Sequence, residues 1–378
     1  MSTAIVGIGR TEYTRNSGRT TLAMAAEASR LALADAGLPA SRVRGIIDFQ
    51  FADSTGPLEV ARALGISELP WYVDMSAGGQ AVATMVRTAS AAVESGLADV
   101  VIMYRSLNGR SGYRFGTASS DRRYTGPAQF TAPHGYIVPP EWLAMWTRRH
   151  MHTYGTRAED LGAIAVTQRA HAVPNTHAIA RDPLTLDQYL DSRVVFDPFR
   201  LYDCTFEVDG AVAIVIASEE VAADTAKAPV WIRGSIDAHG TTGWDQWPDM
   251  TEMYSAKAGP RLWNETGLRP EDIDVACMYD CFTYTVLATL EGYGFCKPGE
   301  VGDFFRDGRA TYGGDVVVNP HGGLLSEGYI HGLNHHYEAA LQLRGEAGVR
   351  QVENARTALA TAGAGPFGGA VIYGKDKP

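Results

Sequence analysis

Ala34-Asp35-Ala36-Gly37-Leu38-Pro39-Ala40-Ser41-Arg42-Val43-Arg44-Gly45-Ile46-Ile47-Asp48-Phe49 reads as the end of a helix, a Gly-Leu stop, a short polar turn and a strand entering a core. The same order returns in Asn264-Glu265-Thr266-Gly267-Leu268-Arg269-Pro270-Glu271-Asp272-Ile273-Asp274-Val275-Ala276-Cys277-Met278-Tyr279. The offset between the two stretches is constant and without gaps. Gly-Leu matches Gly-Leu and Val43 matches Ile273, so the chain reads as an internal duplication.

Outward from the first stretch, Thr3–Gly7 is a short apolar strand. Thr21–Ala36 carries apolar residues at helical spacing and stops at Gly37. Val43–Phe49 and Asp99–Tyr104 read as core strands, and the small, apolar run Gly79–Ser95 as a helix buried all round. Strands alternating with helices predict an α/β layered fold. Ser106–Arg200 differs from its surroundings. It is rich in Gly, Pro, Arg, His and aromatic residues, including Tyr113, Phe115, Tyr124, Phe130, Tyr136, Trp142 and Trp146, with helical pieces at Pro140–Tyr154 and Leu161–Ala172. It reads as a large insertion over one face, the kind that lines substrate sites. Val208–Ala217 returns to core strand. The expected division is 1–225 for a first half that includes the insertion at about 106–200, and 226–378 for a second half.

The 378 residues suffice for two core-forming units. A formal charge of -10 argues against nucleic acid as a main partner. No stretch approaches the roughly 20 apolar residues of a membrane span, and the N-terminus lacks the features of a signal peptide. Cys204, Cys277, Cys281 and Cys296 form neither a zinc pattern nor a CxxC pair, so the expectation is a cytoplasmic protein with reduced thiols. His150-x-His152 and His335-His336 each lack a third ligand, so no metal is expected. The five lysines fall in polar or terminal segments, which disfavours Schiff-base chemistry. Gly7-Ile8-Gly9 lacks the third glycine of a dinucleotide fingerprint.

Four motifs then stand in order: Asp203-Cys204 before Asp209-Gly210-Ala211, Tyr279-Asp280-Cys281-Phe282, Asn319-Pro320-His321-Gly322-Gly323, and Gly328-Tyr329-Ile330-His331-Gly332. Together they resemble the thiolase superfamily, and within it the lipid-transfer-protein branch, over nearly the whole chain. The resemblance implies two duplicated α/β halves in a five-layer αβαβα arrangement with a loop-domain insertion. It also implies the departures that matter. Where the family has its nucleophilic cysteine the chain has Ser76, if Gly79 is the matching glycine. Tyr279 and Tyr329 replace the two histidines, and Thr361 falls near the position of the second cysteine.

A scaffold without those sulfur and imidazole groups cannot run covalent acyl transfer. Tyrosine passes protons and donates to oxyanions but is a poor nucleophile. Retro-aldol cleavage of a β-hydroxyacyl-CoA needs those two services and no covalent intermediate. The chain resembles the lipid-transfer-protein-type aldolases of bacterial steroid side-chain degradation. That resemblance implies a 17-hydroxy-20-carboxyl-CoA steroid as substrate, with a 17-ketosteroid and propionyl-CoA as products. CoA would enter as part of the substrate, with no separate cofactor. It further implies a homodimer core in a heterotetramer with the OB-fold and zinc-ribbon domain of a hydratase subunit. The expected catalytic residues are Tyr279, Tyr329 and His331. Ser76, Gly79, His321, Gly322, Gly323 and Gly368 are expected to bind substrate or CoA. Asp280 is expected to face away from Tyr279, and Cys277 and Cys281 to be structural. Two alternatives stay open at this point: a non-catalytic lipid-CoA-binding or scaffold protein, and a thiolase using an unrecognised cysteine.

Overall fold

The computed structural model describes residues 2–112, 114 and 123–378; Tyr113 and Phe115 of the aromatic insertion lie outside the described residues. The duplication is present in matching register. The helices Thr21–Ala36 and Ser255–Thr266 both stop at a left-handed glycine, Gly37 at φ +71° and Gly267 at φ +68°, a conformation glycine adopts without a Cβ penalty. A single 3₁₀ turn follows each, Ala40–Arg42 and Pro270–Asp272. Val43 and Ile273 then plug the core at equivalent places.

The strands are β1 (Thr3–Arg10), β2 (Gly45–Gln50), β3 (Trp71–Ser76), β4 (Val100–Asn108), β5 (Val194–Phe196), β6 (Phe199–Arg200), β7 (Asp209–Ser218), β8 (Val230–His239), β9 (Val275–Cys277), β10 (Val317–Val318), β11 (Thr357–Ala364) and β12 (Phe367–Gly374). β5 and β6 form a separate hairpin, and the other ten follow the order β10-β9-β11-β12-β8-β1-β7-β4-β2-β3. Read outward from the β1–β8 junction, the two sides are copies. β7 is antiparallel to β1 and β4, and β2 is parallel to β4 and β3. β12 is likewise antiparallel to β8 and β11, and β9 is parallel to β11 and β10.

Two helices, Ala81–Glu94 and Leu333–Arg344, touch strands of both halves and so lie between them. Apolar residues of the inner strand faces, such as Ile47, Met103 and Ala360, pack on these helices in one central cluster. Thr21–Ala36 and Ser255–Thr266 cover the outer faces, each with its own cluster. This is the five-layer arrangement. The central helix Ala81–Glu94 is not buried all round, because Arg87, Ala91 and Glu94 reach the surface. Pro139–Tyr154 and Ala158–Ala172 of the insertion pack into the cluster of the second half. Among the described residues no helix is long and apolar enough to cross a membrane.

One set of polar contacts fixes the loops that follow β9 and β10. The Asn319 side chain accepts from the Met278 N–H at 2.7 Å and donates to the Met278 carbonyl at 3.0 Å. Asp280, fully buried, accepts from the backbone N–H groups of Leu324 and Leu325 at 2.9 and 3.1 Å. Asp280 therefore faces away from the Tyr279 ring, as the alternation of an extended chain requires. The Tyr279 N–H donates to the Thr361 hydroxyl at 2.8 Å, and the Tyr329 N–H to the Phe206 carbonyl at 2.8 Å. Replacing Asn319 by Ala leaves the buried Met278 carbonyl without its partner, while the Met278 N–H keeps only its contact with the Ala276 carbonyl at 3.1 Å. At about 1–3 kcal/mol for an unpaired buried group, Asn319→Ala should lose about 1–3 kcal/mol of stability, read from urea denaturation midpoints at unchanged slope.

Candidate active site

The polar clasp carries Tyr279 and Tyr329 into the wall of a cavity of about 1040 Å³. Their hydroxyls are 3.0 Å apart and hydrogen-bonded to each other. Burial pushes the Tyr279 phenol well above its ordinary value, and the neighbouring Tyr329 adds to the shift. Burial also raises Tyr329, helped by Cys281, while the hydrogen bond with Tyr279 and the charge of Arg105 pull the other way. Both side chains therefore rest as neutral phenols around pH 7.

His331 lines the same cavity, its ring 4.8 Å from that of Tyr329 and edge-on to it. It sits at φ +52°, a left-handed conformation uncommon outside glycine. Its Nδ1 accepts a hydrogen bond from Nε of Arg105 at 3.0 Å. Burial, and then the Arg105 charge, hold the imidazole well below its ordinary pKa, so it is neutral. Gly79 is the fourth expected residue at this place. A Cβ built on it would lie 2.1 Å from the Tyr279 hydroxyl oxygen, so only a glycine lets the chain pass so close. With Gly78 and Gln80 it forms the part of the cavity wall just ahead of the central helix Ala81–Glu94.

The other expected binding residues are elsewhere. Ser76 is the exposed last residue of the edge strand β3 and does not line the cavity. His321 is fully buried, with Nε2 3.1 Å from Nδ1 of His335 and 3.9 Å from Glu327. Gly322 faces Ala172, Gly323 faces Asp280 and Asn319, and Gly368 on β12 faces Tyr254. The Asn-Pro-His-Gly-Gly block thus turns inward to brace the clasp and does not turn outward to ligand.

Behind the tyrosines a buried polar chain runs from Asp280 through His335 and His321 to Glu327 and Arg10. Burial pushes His321 down to about 3, with Glu327 opposing. Burial would raise Glu327, but His321, Arg10, Asn334 and Asn175 outweigh it and bring it down to about 2. His150 is likewise committed, to Thr156 and Glu291. Among the described residues no group of three or more His, Cys, Asp or Glu is arranged to hold a metal ion.

Of the cysteines, Cys277 is buried in β9, as expected, but Cys281 and Cys204 line the cavity. Burial is the largest cause of the rise of both thiols to about 12, which keeps them protonated and poorly nucleophilic. None of the five lysines lines the cavity; Lys257 sits on a helix and lies over the Trp247 ring.

The remaining wall divides by chemistry. Arg15, Arg110 and Arg193, all exposed, supply positive charge, while Arg114 is ion-paired with Glu207 of the same wall at 2.5 Å. Val138, Trp142, Leu143, Trp244, Phe282 and Phe367 supply apolar surface, with the Trp142 and Trp244 rings 5.2 Å apart. The insertion contributes Trp142 and Leu143, as its composition suggested. Trp146 instead packs behind them against Trp244 and Trp247, and Phe130 is 80% exposed. Two residues at or beside the cavity escaped sequence reasoning. Trp244 stands in an irregular stretch with no pattern to mark it. Arg105 left a visible trace, a charged residue within the apolar strand β4.

Comparison with known proteins agrees with this architecture. Residues 237–373 match the family model described as thiolase C-terminal domain-like. The chain is 41% identical over 389 residues to the steroid side-chain-cleaving aldolase of Thermomonospora curvata, covering 99% of this chain and 98% of that one. It is 41% identical over 390 residues to the 17-hydroxy-3-oxo-4-pregnene-20-carboxyl-CoA lyase of Mycobacterium tuberculosis, covering 98% of each. Among solved structures, the Ltp2-ChsH2(DUF35) aldolase superimposes with a TM-score of 0.92 at 39% identity over 99% of this chain and 97% of that one. Identity at this level over the full length of both chains places the chain in the steroid side-chain-cleaving aldolase family, within the thiolase superfamily.

Proposed function

We propose that this chain is an acyl-CoA aldolase that cleaves a 17-hydroxy-20-carboxyl-CoA steroid into a 17-ketosteroid and propionyl-CoA. The observation that carries the reading is the pair of phenol oxygens 3.0 Å apart in the cavity wall. In a retro-aldol cleavage the β-hydroxyl loses its proton, the Cα–Cβ bond breaks, and its electron pair becomes the thioester enolate. That enolate then takes a proton at Cα. One proton therefore moves from oxygen to carbon, and none is gained or lost overall. Two hydrogen-bonded phenols perform this transfer as a relay, each giving one proton and taking one, without a standing phenolate. The start of the central helix, beside Gly79 and Gln80, adds the positive end of a helix dipole where enolate charge develops.

Arg15, Arg110 and Arg193 suit the phosphates of the CoA carried by the substrate, and the tryptophan-lined side suits fused apolar rings. The chemistry as proposed needs no cofactor beyond that CoA. The partner reading is supported by the structural relative, whose ChsH2(DUF35) component names the kind of chain that would bind here. In this reading the partner is the OB-fold and zinc-ribbon domain of a hydratase. A homodimer core would form at the sheet edge, where β3 has β2 on one side only, and two partner domains would complete a heterotetramer. A CoA thioester substrate fits a cytoplasmic enzyme.

The decisive experiment incubates the chain, alone and with a candidate OB-fold partner, with the β-hydroxyacyl-CoA steroid, and follows ketone and propionyl-CoA by mass spectrometry. Background levels from a folded complex would refute the proposal. Because Cys204 and Cys281 face the cavity, a thiolase reading has one specific observation in its favour. It requires a trapped acyl-enzyme and inactivation by thiol alkylation that substrate prevents.

Tyr279→Phe and Tyr329→Phe should each lower kcat by about 100- to 10,000-fold with the fold retained by circular dichroism. The double variant should cost little more than either single one, since the relay needs both members. Gly79→Ala should reduce kcat by displacing the Tyr279 hydroxyl and should lower the melting temperature as well, because the added Cβ also meets the buried Tyr279 ring carbons at 2.7 and 2.9 Å. The pH profile of kcat should be flat from about pH 6 to about pH 9. Raised phenol pKa values move any loss from tyrosine ionisation above the ordinary value near 10, and the lowered His331 value moves imidazole protonation well below 6.5. A bell with a midpoint near pH 7 would contradict the relay.

A further inference from the structure

The geometry points to Asp203 as a positioning residue that joins the insertion to the second half of the chain and so holds the apolar wall on which the acyl part of the substrate rests. The inference rests on the aldolase reading and adds to it a residue that sets affinity without touching the ligand.

Asp203 is fully buried and does not line the cavity. Three segments share its carboxylate. Tyr189, on the insertion helix Leu186–Asp191, donates its hydroxyl to both oxygens at 2.8 Å. The Arg200 N–H donates from β6 at 2.6 Å. The Thr283 hydroxyl donates from the first turn of the helix Thr283–Gly292 in the second half. The Arg200 guanidinium is turned elsewhere, to the Ser192 carbonyl at 2.7 Å. A buried carboxylate held by neutral donors is costly to keep ionised, and such groups cluster where function needs them. These bonds fasten a joint in the cavity wall. The Cys204 and Phe282 backbones pair across it in an isolated bridge, and the Phe199 ring stacks on that of Phe282 at 4.9 Å. Leu201, Cys204, Phe206, Cys281 and Phe282 line the cavity on either side, and burial holds both thiols protonated. The wall adjoins both phenols. Cys281 stands two residues after Tyr279, and the Phe206 carbonyl receives the Tyr329 N–H. The part of the substrate next to the cleaved bond therefore meets this surface.

The joint depends on charge. Its three partners are donors, so protonating Asp203 sets an O–H against one of them and leaves that donor without an acceptor. Burial raises Asp203 to about 6, with the bonds from Thr283, the Arg200 N–H and Tyr189 opposing. The groups facing it are Tyr189 and Cys204, both held protonated by burial, Arg200 from β6, and Arg169 of the helix Ala158–Ala172, whose guanidinium lies over the Tyr202 ring. The helix Thr283–Gly292 adds only the Thr283 hydroxyl. Affinity for the acyl part should therefore fall as pH drops through about 6, while kcat, read at saturation, keeps its flat profile. Stability moves the other way at this residue. The folded chain holds the proton more tightly than the unfolded one, so acidification from about pH 6 toward 4 favours the fold as it weakens binding.

The test titrates the full chain with the 17-ketosteroid product, a ligand without an ionisable group, and follows the fluorescence of Trp142 and Trp244 in the cavity wall. Wild-type affinity should fall about tenfold from pH 7 to pH 5, the change in ionised fraction of a group at about 6. Asp203→Asn should bind about tenfold more weakly than wild type at pH 7 and show no step near pH 6, with KM raised and kcat within about threefold. Tyr189→Phe keeps the ring and removes one donor, so the midpoint of the binding step should move to higher pH. Wild-type affinity indifferent to pH between 5 and 7, or an unmoved midpoint in Tyr189→Phe, overturns the inference even if Asp203→Asn fails to fold. Asp203→Asn that binds like wild type at pH 7 overturns it, as does a folded wild-type chain that shows no saturable binding. Absence of turnover with this binding pattern intact refutes the aldolase reading alone.

Discussion

The side chains of Asn319 and Asp280 do for two loops what a sheet would otherwise do. Asn319 mimics a strand partner for Met278, one donor and one acceptor to one residue, and Asp280 caps the turn at Leu324 and Leu325. β9 and β10 are only three and two residues long, too short to orient the chain that follows them. The tyrosines emerge within one and ten residues of these contacts, at 279 and 329 against 280 and 319. Their 3.0 Å approach is therefore set by buried polar groups with full partners, the kind of arrangement that specifies one geometry.

This explains which parts of the site were readable in the sequence. The duplication was readable because its signals are local: a glycine that stops a helix, a polar turn and a buried plug residue, repeated in constant register. Tyr279, Tyr329 and Gly79 were readable because each stands at a motif position whose usual occupant is known. That His321, Gly322, Gly323 and Gly368 lie outside the cavity lining was not legible, for a physical reason. A glycine-rich polar block looks the same whether its backbone meets a ligand or a buried carboxylate, and only the partners decide. Arg105 and His331 are 226 residues apart in the chain, and no local pattern encodes such a pairing. The burial of Cys277 followed from its strand, but the exposure of Cys281 to the cavity depends on the direction the chain takes after β9, which the motif does not reveal.

The electrostatics of the cavity argue consistently against covalent chemistry. Thiols there are held protonated, the His321 imidazole behind the wall and the His331 imidazole in it are held neutral, and the two phenols are held neutral as well. An acyl-transfer site needs at least one strongly nucleophilic atom at rest. A cleavage that shuttles a proton internally needs none, and buried, uncharged phenols favour it because hydrogen bonds made to passing charge are stronger away from water.

The copied halves do not share the work equally. Phe49 and Tyr279 are the matching residues of the two repeats, and both end at the same cavity neighbourhood: Phe49 with its ring 5.6 Å from that of His331, Tyr279 bonded to Tyr329. They differ by a single oxygen atom. The two halves thus share a backbone plan and differ in chemistry at this place. In one repeat an apolar ring props up a cation and an imidazole, and in the other a phenol reaches the cavity. A hydroxyl added at Phe49 would set a second hydrogen-bonding arm beside Arg105 and His331.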